Sequence, residues 1–149
     1  MSTAPLQCPR DTTPLEAARE HGIQIDRCAS CHGAWYDRDE LALLEATVAR
    51  DDDSRRGMVD YAKRESSLLC PVCHHSLQAF NYRGFNLELD ACKQEHGFWL
   101  DAGEAERVRE LMRDRVRGLQ RSARAEAEWD RTDWYRPDGV LQRLRNLFR

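Results

Sequence analysis

The chain repeats itself, and that constrains its fold more than anything else in the sequence. Residues 8 to 40, CPRDTTPLEAAREHGIQIDRCASCHGAWYDRDE, overlie residues 70 to 104, CPVCHHSLQAFNYRGFNLELDACKQEHGFWLDAGE. The offset is 62 up to Gly22 and Gly84, and 64 after a two-residue insertion. Cys8 falls on Cys70, Pro9 on Pro71, Leu15 on Leu77, Ala17 on Ala79, Ile25 on Leu89, Asp26 on Asp90 and Cys28 on Cys92. His32, Gly33, Trp35, Asp37 and Glu40 fall on His96, Gly97, Trp99, Asp101 and Glu104. Units this short cannot bury a self-sufficient core and need a staple, for which the six cysteines are the available material.

Four ligand slots emerge in each unit: Cys8, Asp11, Cys28 and Cys31 in the first, and Cys70, Cys73, Cys92 and Glu95 in the second. Each unit carries two pairs at i and i+3, separated by 16 or 18 residues, which is zinc-ribbon spacing. A C-P-x-C turn folds two sulfurs toward one point, and two such turns complete a tetrahedron around Zn²⁺. CASCH also spells the c-type haem attachment signature. The second copy argues against haem, because it keeps His-Gly-x-Trp-x-Asp but reads CKQEH and lacks one thiol.

Between the ligand pairs, LEAAREHGIQID and LQAFNYRGFNLELD each place a glycine near the middle of short alternating stretches, so each reads as a β-hairpin. Trp35 or Trp99 then supplies a large apolar surface. Asp37-x-x-Glu40 and Asp101-x-x-Glu104 have capping-box spacing, so each ribbon is expected to launch a helix.

Only 41% of residues are apolar and 33% are charged, which leaves little material for a large core. The N-terminal residues lack a basic and an apolar region, and no apolar run reaches about 18 residues, so no secretory signal or membrane span is expected. The expected compartment is the cytoplasm, where thiols stay reduced and serve as ligands. Lys and Arg against Asp and Glu number 9 against 13 in residues 1 to 69, 2 against 5 in 70 to 104, and 12 against 8 in 105 to 149. The acidic ribbons are poor phosphate grips.

The pattern C-P-x-C, hairpin, C-x-x-C-x-G-x-W-[LY]-D-x-x-E resembles the TFIIB-type transcription-factor zinc-finger family of bacteria, present as a tandem pair over about half the chain. The resemblance implies zinc-bound ribbons, one ion in each; a role in transcription follows by analogy alone. The chain departs from the four-cysteine pattern once per unit, with Asp11 in the second slot of unit one and Glu95 in the fourth slot of unit two. For the first site Asp11 is favoured over His21 and His32. For the second, His96 ranks ahead of Glu95, with His74 and His75 behind, because imidazole is the better structural ligand. The expected set is thus Cys8, Asp11, Cys28 and Cys31 with Cys70, Cys73, Cys92 and His96.

Outside the ribbons, Leu41, Leu44 and Val48 recur at helical spacing, and the run Asp51-Asp52-Asp53 is expected to end that helix. Residues 51 to 69 read as a linker with a short helix through Met58, Val59 and Ala62. Val108, Leu111, Met112, Val116, Leu119 and Ala123 form the stripe of a long charged helix, about 40 Å long. After Pro137 and Gly139, a short segment groups Val140, Leu141, Leu144, Leu147 and Phe148 on one apolar face.

The expected fold is small, metal-stabilised α+β: two zinc-ribbon hairpin units, each followed by a helix, then a long C-terminal helix and a short amphipathic tail. Its parts are a first ribbon plus helix (1–50), a linker (51–69), a second ribbon (70–104), the helix (105–129) and the tail (130–149). No nucleophile with a base, and no phosphate-binding loop, suggests an enzyme. The expected function is a non-enzymatic adaptor whose 105–124 helix and apolar tail engage a protein partner, a second copy of the chain being one candidate. The alternative is a nucleic-acid-associated regulator, disfavoured by interleaved acidic residues. A thiol-redox role is a lesser alternative, without the βαβ pattern such proteins show.

Overall fold

The hairpin at the centre of the first repeat pairs β1 (Leu15–Glu20) with β2 (Ile23–Cys28) in antiparallel register from Leu15 with Cys28 to Glu20 with Ile23. Gly22, with φ +85°, and His21, with φ +51°, make its two-residue turn, where both central residues need left-handed backbone. β3 (Ala34–Asp37) adds to β2 and runs directly into α1 (Arg38–Ala46). The computed structural model describes residues 5–49 and 61–131.

The second repeat follows the same plan with one strand added in front of it. β4 (Tyr61–Leu69) and β5 (Ser76–Asn81) pair antiparallel, a 3₁₀ turn (Tyr82–Gly84) leads to β6 (Glu88–Ala91), β7 (Gly97–Leu100) follows, and α2 (Glu104–Arg131) comes last. The short helix expected through Met58, Val59 and Ala62 is corrected: from Tyr61 the chain is strand, and residues 50 to 60 lie outside the described part. The outer edge of β5 presents unpaired backbone donors and acceptors, and β4 satisfies them while sending Leu68 into the core. α1 ends at Ala46, before the acidic run expected to stop it, and the Thr47 hydroxyl donates back to the Leu44 carbonyl at 2.7 Å.

The seven strands of the described residues form one sheet in the order β1-β2-β3-β7-β6-β5-β4. The β3–β7 pair is the seam between the repeats. Ala34 pairs with Leu100, Trp35 with Trp99 and Tyr36 with Phe98, an arrangement that maps onto itself when the repeats are exchanged. The two ribbons are therefore halves of one pseudo-symmetric sheet rather than separate miniature domains, and both lie in the compact unit Met1–Asp114. The second unit is Arg115–Arg149, described as far as residue 131.

The core follows the seam. Trp35, Trp99, Leu15, Leu68 and Leu77 pack with Cys8, Cys28, Cys70 and Cys92 in one buried cluster. Each tryptophan lies on the glycine of the opposite repeat: a Cβ at Gly33 would collide with the Trp99 ring, and one at Gly97 with the Trp35 ring and the Tyr36 carbonyl. Glycine is thus required at both positions for close approach.

Each half is also held by the other half's helix. Glu45 of α1, 3% exposed, accepts from the Tyr82 hydroxyl and from Arg83 Nη2 at 2.8 Å and Nε at 3.1 Å, all at the hairpin tip of the second ribbon. In the symmetry-related place Arg109 of α2 lies 3.5 Å from His21 Nε2 at the first hairpin tip and donates to the Thr47 hydroxyl at 3.1 Å. Along α2, Val108, Leu111 and Met112 are buried, while Leu119 and Ala123 are exposed. Among the described residues no helix is long and apolar enough to cross a membrane. The apolar tail residues Val140, Leu141, Leu144, Leu147 and Phe148 lie outside the described residues.

Candidate metal centres

Two loops at one end of each hairpin converge to make a cluster. In the first, ligand-type atoms of Cys8, Asp11, Cys28 and Cys31 lie within 4.8 Å of one another, and in the second those of Cys70, Cys73, Cys92 and His96 do. Cys8 Sγ is 3.6 Å from Cys31 Sγ, and Cys28 Sγ is 3.6 Å from both Asp11 carboxylate oxygens. In the second cluster Cys73 Sγ is 3.6 Å from Cys92 Sγ, and His96 Nδ1 is 3.4 Å from Cys92 Sγ and 3.9 Å from Cys70 Sγ. All six cysteines are free thiols.

These separations bear on what each cluster can hold. A tetrahedron with zinc–sulfur arms of about 2.3 Å has sulfur–sulfur edges of about 3.8 Å, and about 3.5 Å where one arm ends on nitrogen or oxygen. The separations given above, 3.4 to 3.9 Å, lie close to these edges and the remaining ones fall within 4.8 Å, so both donor sets fit a four-coordinate ion of zinc's size and preference. When bound, such an ion would serve to cross-link the two loops of a ribbon.

Local backbone geometry prepares the loops. In three of the four, the N–H of the first ligand donates to the carbonyl five positions on, and the residue four positions on donates back to the first carbonyl from a left-handed conformation. That residue is Thr12 (φ 62°), His32 (φ 61°) or His74 (φ 59°). Histidines 32 and 74 are therefore turn residues, and neither belongs to a cluster.

The fourth loop differs. Glu95 N–H donates to the Cys92 carbonyl at 3.0 Å, a bond one residue shorter, and Glu95 itself is left-handed at φ 61°. The tighter turn carries Glu95 outward to an ion pair with Arg38 and delivers His96 one position later, into the cluster. The residue directly after Cys92-Lys93-Gln94 thus leaves the ligand slot, and the imidazole fills it. His21, the other sequence candidate, stands at the hairpin tip 3.5 Å from Glu106. His75 belongs to neither cluster.

Backbone N–H groups also aim at sulfur: Arg10 at Cys8, Cys31 at Cys28, Val72 at Cys70 and Gln94 at Cys92, each at 3.4 Å. Such donors favour thiolate. The N–H of His75 brings the Cys73 thiol down to about 6. At Cys28 burial opposes ionisation, yet the N–H groups of Cys31 and Ser30 outweigh it and the pKa falls. Burial pushes Cys70 up to about 12 and raises Cys8 as well, so these two thiolates call for a cation. The Cys8 hydrogen bond, followed by the Thr13 N–H, holds the Asp11 carboxyl well below the usual carboxylate range, leaving it an anionic donor.

A one-sheet protein whose repeats each present a four-donor, thiolate-rich cluster between two hairpin-end turns is a tandem zinc ribbon in class. The comparison with protein families agrees: the transcription factor zinc-finger model, the TFIIB-type zinc ribbon, matches residues 7–46 and again residues 69–110. The chain belongs to that family. No curated protein and no solved structure matched.

Sequence reading did not reach the residues that join the halves. Arg10 pairs through its Nε and Nη2 with the two carboxylate oxygens of Asp101, and Glu45 with Tyr82 and Arg83 crosses from one repeat to the other. Only the runs AWYD and GFWL, short and apolar enough to be strands, hinted that a third strand follows each hairpin.

Proposed function

We propose that this protein is a non-enzymatic interaction module: two zinc ions, one on Cys8, Asp11, Cys28 and Cys31 and one on Cys70, Cys73, Cys92 and His96, staple a rigid double ribbon that presents a helix to another protein. The observation that carries the reading is the stripe of α2. It is buried at Val108, Leu111 and Met112, and then continues with Leu119 and Ala123 exposed. An amphipathic helix keeps an apolar stripe where something covers it.

Four protein donors per site leave no open coordination position, which supports a structural rather than a catalytic metal. The thiolate-rich donor sets suit a reducing compartment, in keeping with a cytoplasmic location. The family description favours nucleic acid as a second reading. Against it, three arginines in the first half of α2 are answered within the helix, Arg107 by Glu110 and both Arg109 and Arg113 by Glu106.

Affinity capture with the zinc-loaded protein tests the proposal, using wild type and a Leu119→Glu, Ala123→Glu variant. Capture of a defined protein that survives 0.5 M salt and is lost in the variant is the expected result. Binding to generic DNA or RNA that declines steeply with salt, with no such protein, would replace it with the nucleic-acid reading. Turnover of a disulfide substrate by the zinc-free protein would favour redox work.

A further inference from the structure

The pseudo-symmetry of the sheet exposes a further difference between the halves, beside the seam. In the second half Asp101 accepts the Trp99 indole N–H at 3.0 Å and both arms of the Arg10 guanidinium, which reaches across from the first ribbon's loop. Asp90 is the register partner of Trp99, and the Glu104 carboxylate accepts the Asp101 N–H at 2.7 Å. The first half repeats every acidic part. Asp26 is the register partner of Trp35, and Glu40 accepts the Asp37 N–H at 2.8 Å.

The cation is not repeated. The position equivalent to Arg10 is Val72, 43% exposed. Among the described residues no Lys, Arg or His side chain forms an ion pair with Asp26, Asp37 or Glu40. The Trp35 indole N–H, on a residue with no exposed surface, has no hydrogen-bond partner. Both indoles lie on the opposite glycine through the same ring atoms, Cζ2 and Cε2, so their N–H groups emerge in equivalent directions. That of Trp35 therefore points toward the Asp37 side of the acidic group.

We propose that Asp37, Asp26 and Glu40 form a receptor for an arginine side chain of another protein, seated beside Val72 in the place Arg10 holds in the other half. Planar guanidinium can engage a carboxylate through two parallel hydrogen bonds, as Arg10 does on Asp101, whereas ammonium cannot. An Asp37 carboxylate drawn into that pair would also accept the orphaned Trp35 N–H, completing the arrangement seen around Trp99. The proposal rests on the interaction-module reading and adds the chemistry of the partner.

The test uses zinc-loaded full-length protein and the indole ¹H–¹⁵N resonances. Titration with N-acetyl-arginine amide is expected to shift the Trp35 indole resonance several-fold more than N-acetyl-lysine amide at equal ionic strength, and Asp37→Asn, which keeps an N-cap residue, to abolish the response. Val72→Arg is expected to move the Trp35 resonance toward that of Trp99 without ligand and to remove the arginine response. No Trp35 shift, an equal shift in Asp37→Asn, or an unchanged Trp35 resonance in Val72→Arg overturns the proposal. Capture of a protein partner unaffected by Asp37→Asn would sink this site while leaving the module reading standing. Arginine binding without any captured protein would sink the partner's role instead.

Discussion

Trp35 and Trp99 are register partners at the centre of the β3–β7 seam, and each indole covers the glycine of the opposite repeat. The Gly-x-Trp motif found in both copies thus works across the molecule: the glycine of one half makes room for the tryptophan of the other. Gly33→Ala and Gly97→Ala are expected to destabilise by about 1–3 kcal/mol or more, as overpacked cores do. Denaturant unfolding of the zinc-loaded protein checks this, and a change under 0.5 kcal/mol at both positions would contradict the seam.

One sheet implies one unfolding event. Metal quantitation is expected to return two zinc ions per chain, and a strong chelator to abolish cooperative unfolding of the ribbons. Because the halves share core and seam, Cys92→Ser should lower the melting temperature of the first ribbon together with the second. Two independent calorimetric transitions would refute this.

His96 and Glu95 offer a direct contrast. His96→Ala is expected to cost the second site most of its metal affinity, and the stoichiometry to fall toward one after mild chelation. Glu95→Ala removes only an exposed ion pair with Arg38, worth about 0–1 kcal/mol, and should retain both ions. Loss of metal in the Glu95 variant with retention in the His96 variant would reverse the assignment.

The buried pair of Glu45 and Arg83 ties α1 to the far hairpin, with both side chains almost wholly enclosed. Glu45→Ala strands a buried guanidinium and is expected to cost about 3–5 kcal/mol. Replacing both, as Glu45→Leu with Arg83→Met, should recover most of that loss, since the desolvation of both charges disappears with them. A double-mutant cycle decides it, and additive losses would count against the coupling.

Glu104 shapes the pH profile. Burial foremost, aided by the charges of Asp101 and Asp90, raises its pKa to about 7 from an ordinary 4.5. The folded state therefore binds this proton more tightly than the unfolded chain, and stability contributed by the protonated form is lost as pH rises from about 4.5 through 7. Glu104→Gln keeps an acceptor for the Asp101 N–H and should flatten that decline, making the variant relatively more stable at pH 7.5 than at pH 5.5. Denaturant midpoints compared across this window test it; identical slopes for the two proteins would not be compatible with a buried Glu104.

Short-range spacing was enough to read the duplication, the two ligand frames and the hairpins, because each depends on residues a few positions apart along one backbone. A Cys-x-x-Cys turn is closed by its own N–H groups, and a Gly-centred loop between alternating stretches forms wherever it is placed. The identity of the second site's imidazole could be ranked but not decided that way. It turned on a single left-handed residue, Glu95 in place of the residue after it, and hence on one hydrogen bond between Glu95 and Cys92. The joining of the ribbons into one sheet belongs wholly to the tertiary level. Strand edges pair through backbone groups that every residue carries, so nothing in AWYD or GFWL announces its partner. The Arg10–Asp101 and Glu45–Arg83 pairs likewise link residues that meet only after the seam has closed. Long-range packing, rather than local pattern, turned two metal-stapled ribbons into a single body and, among the described residues, gave the Asp101 side a cation that the Asp37 side lacks.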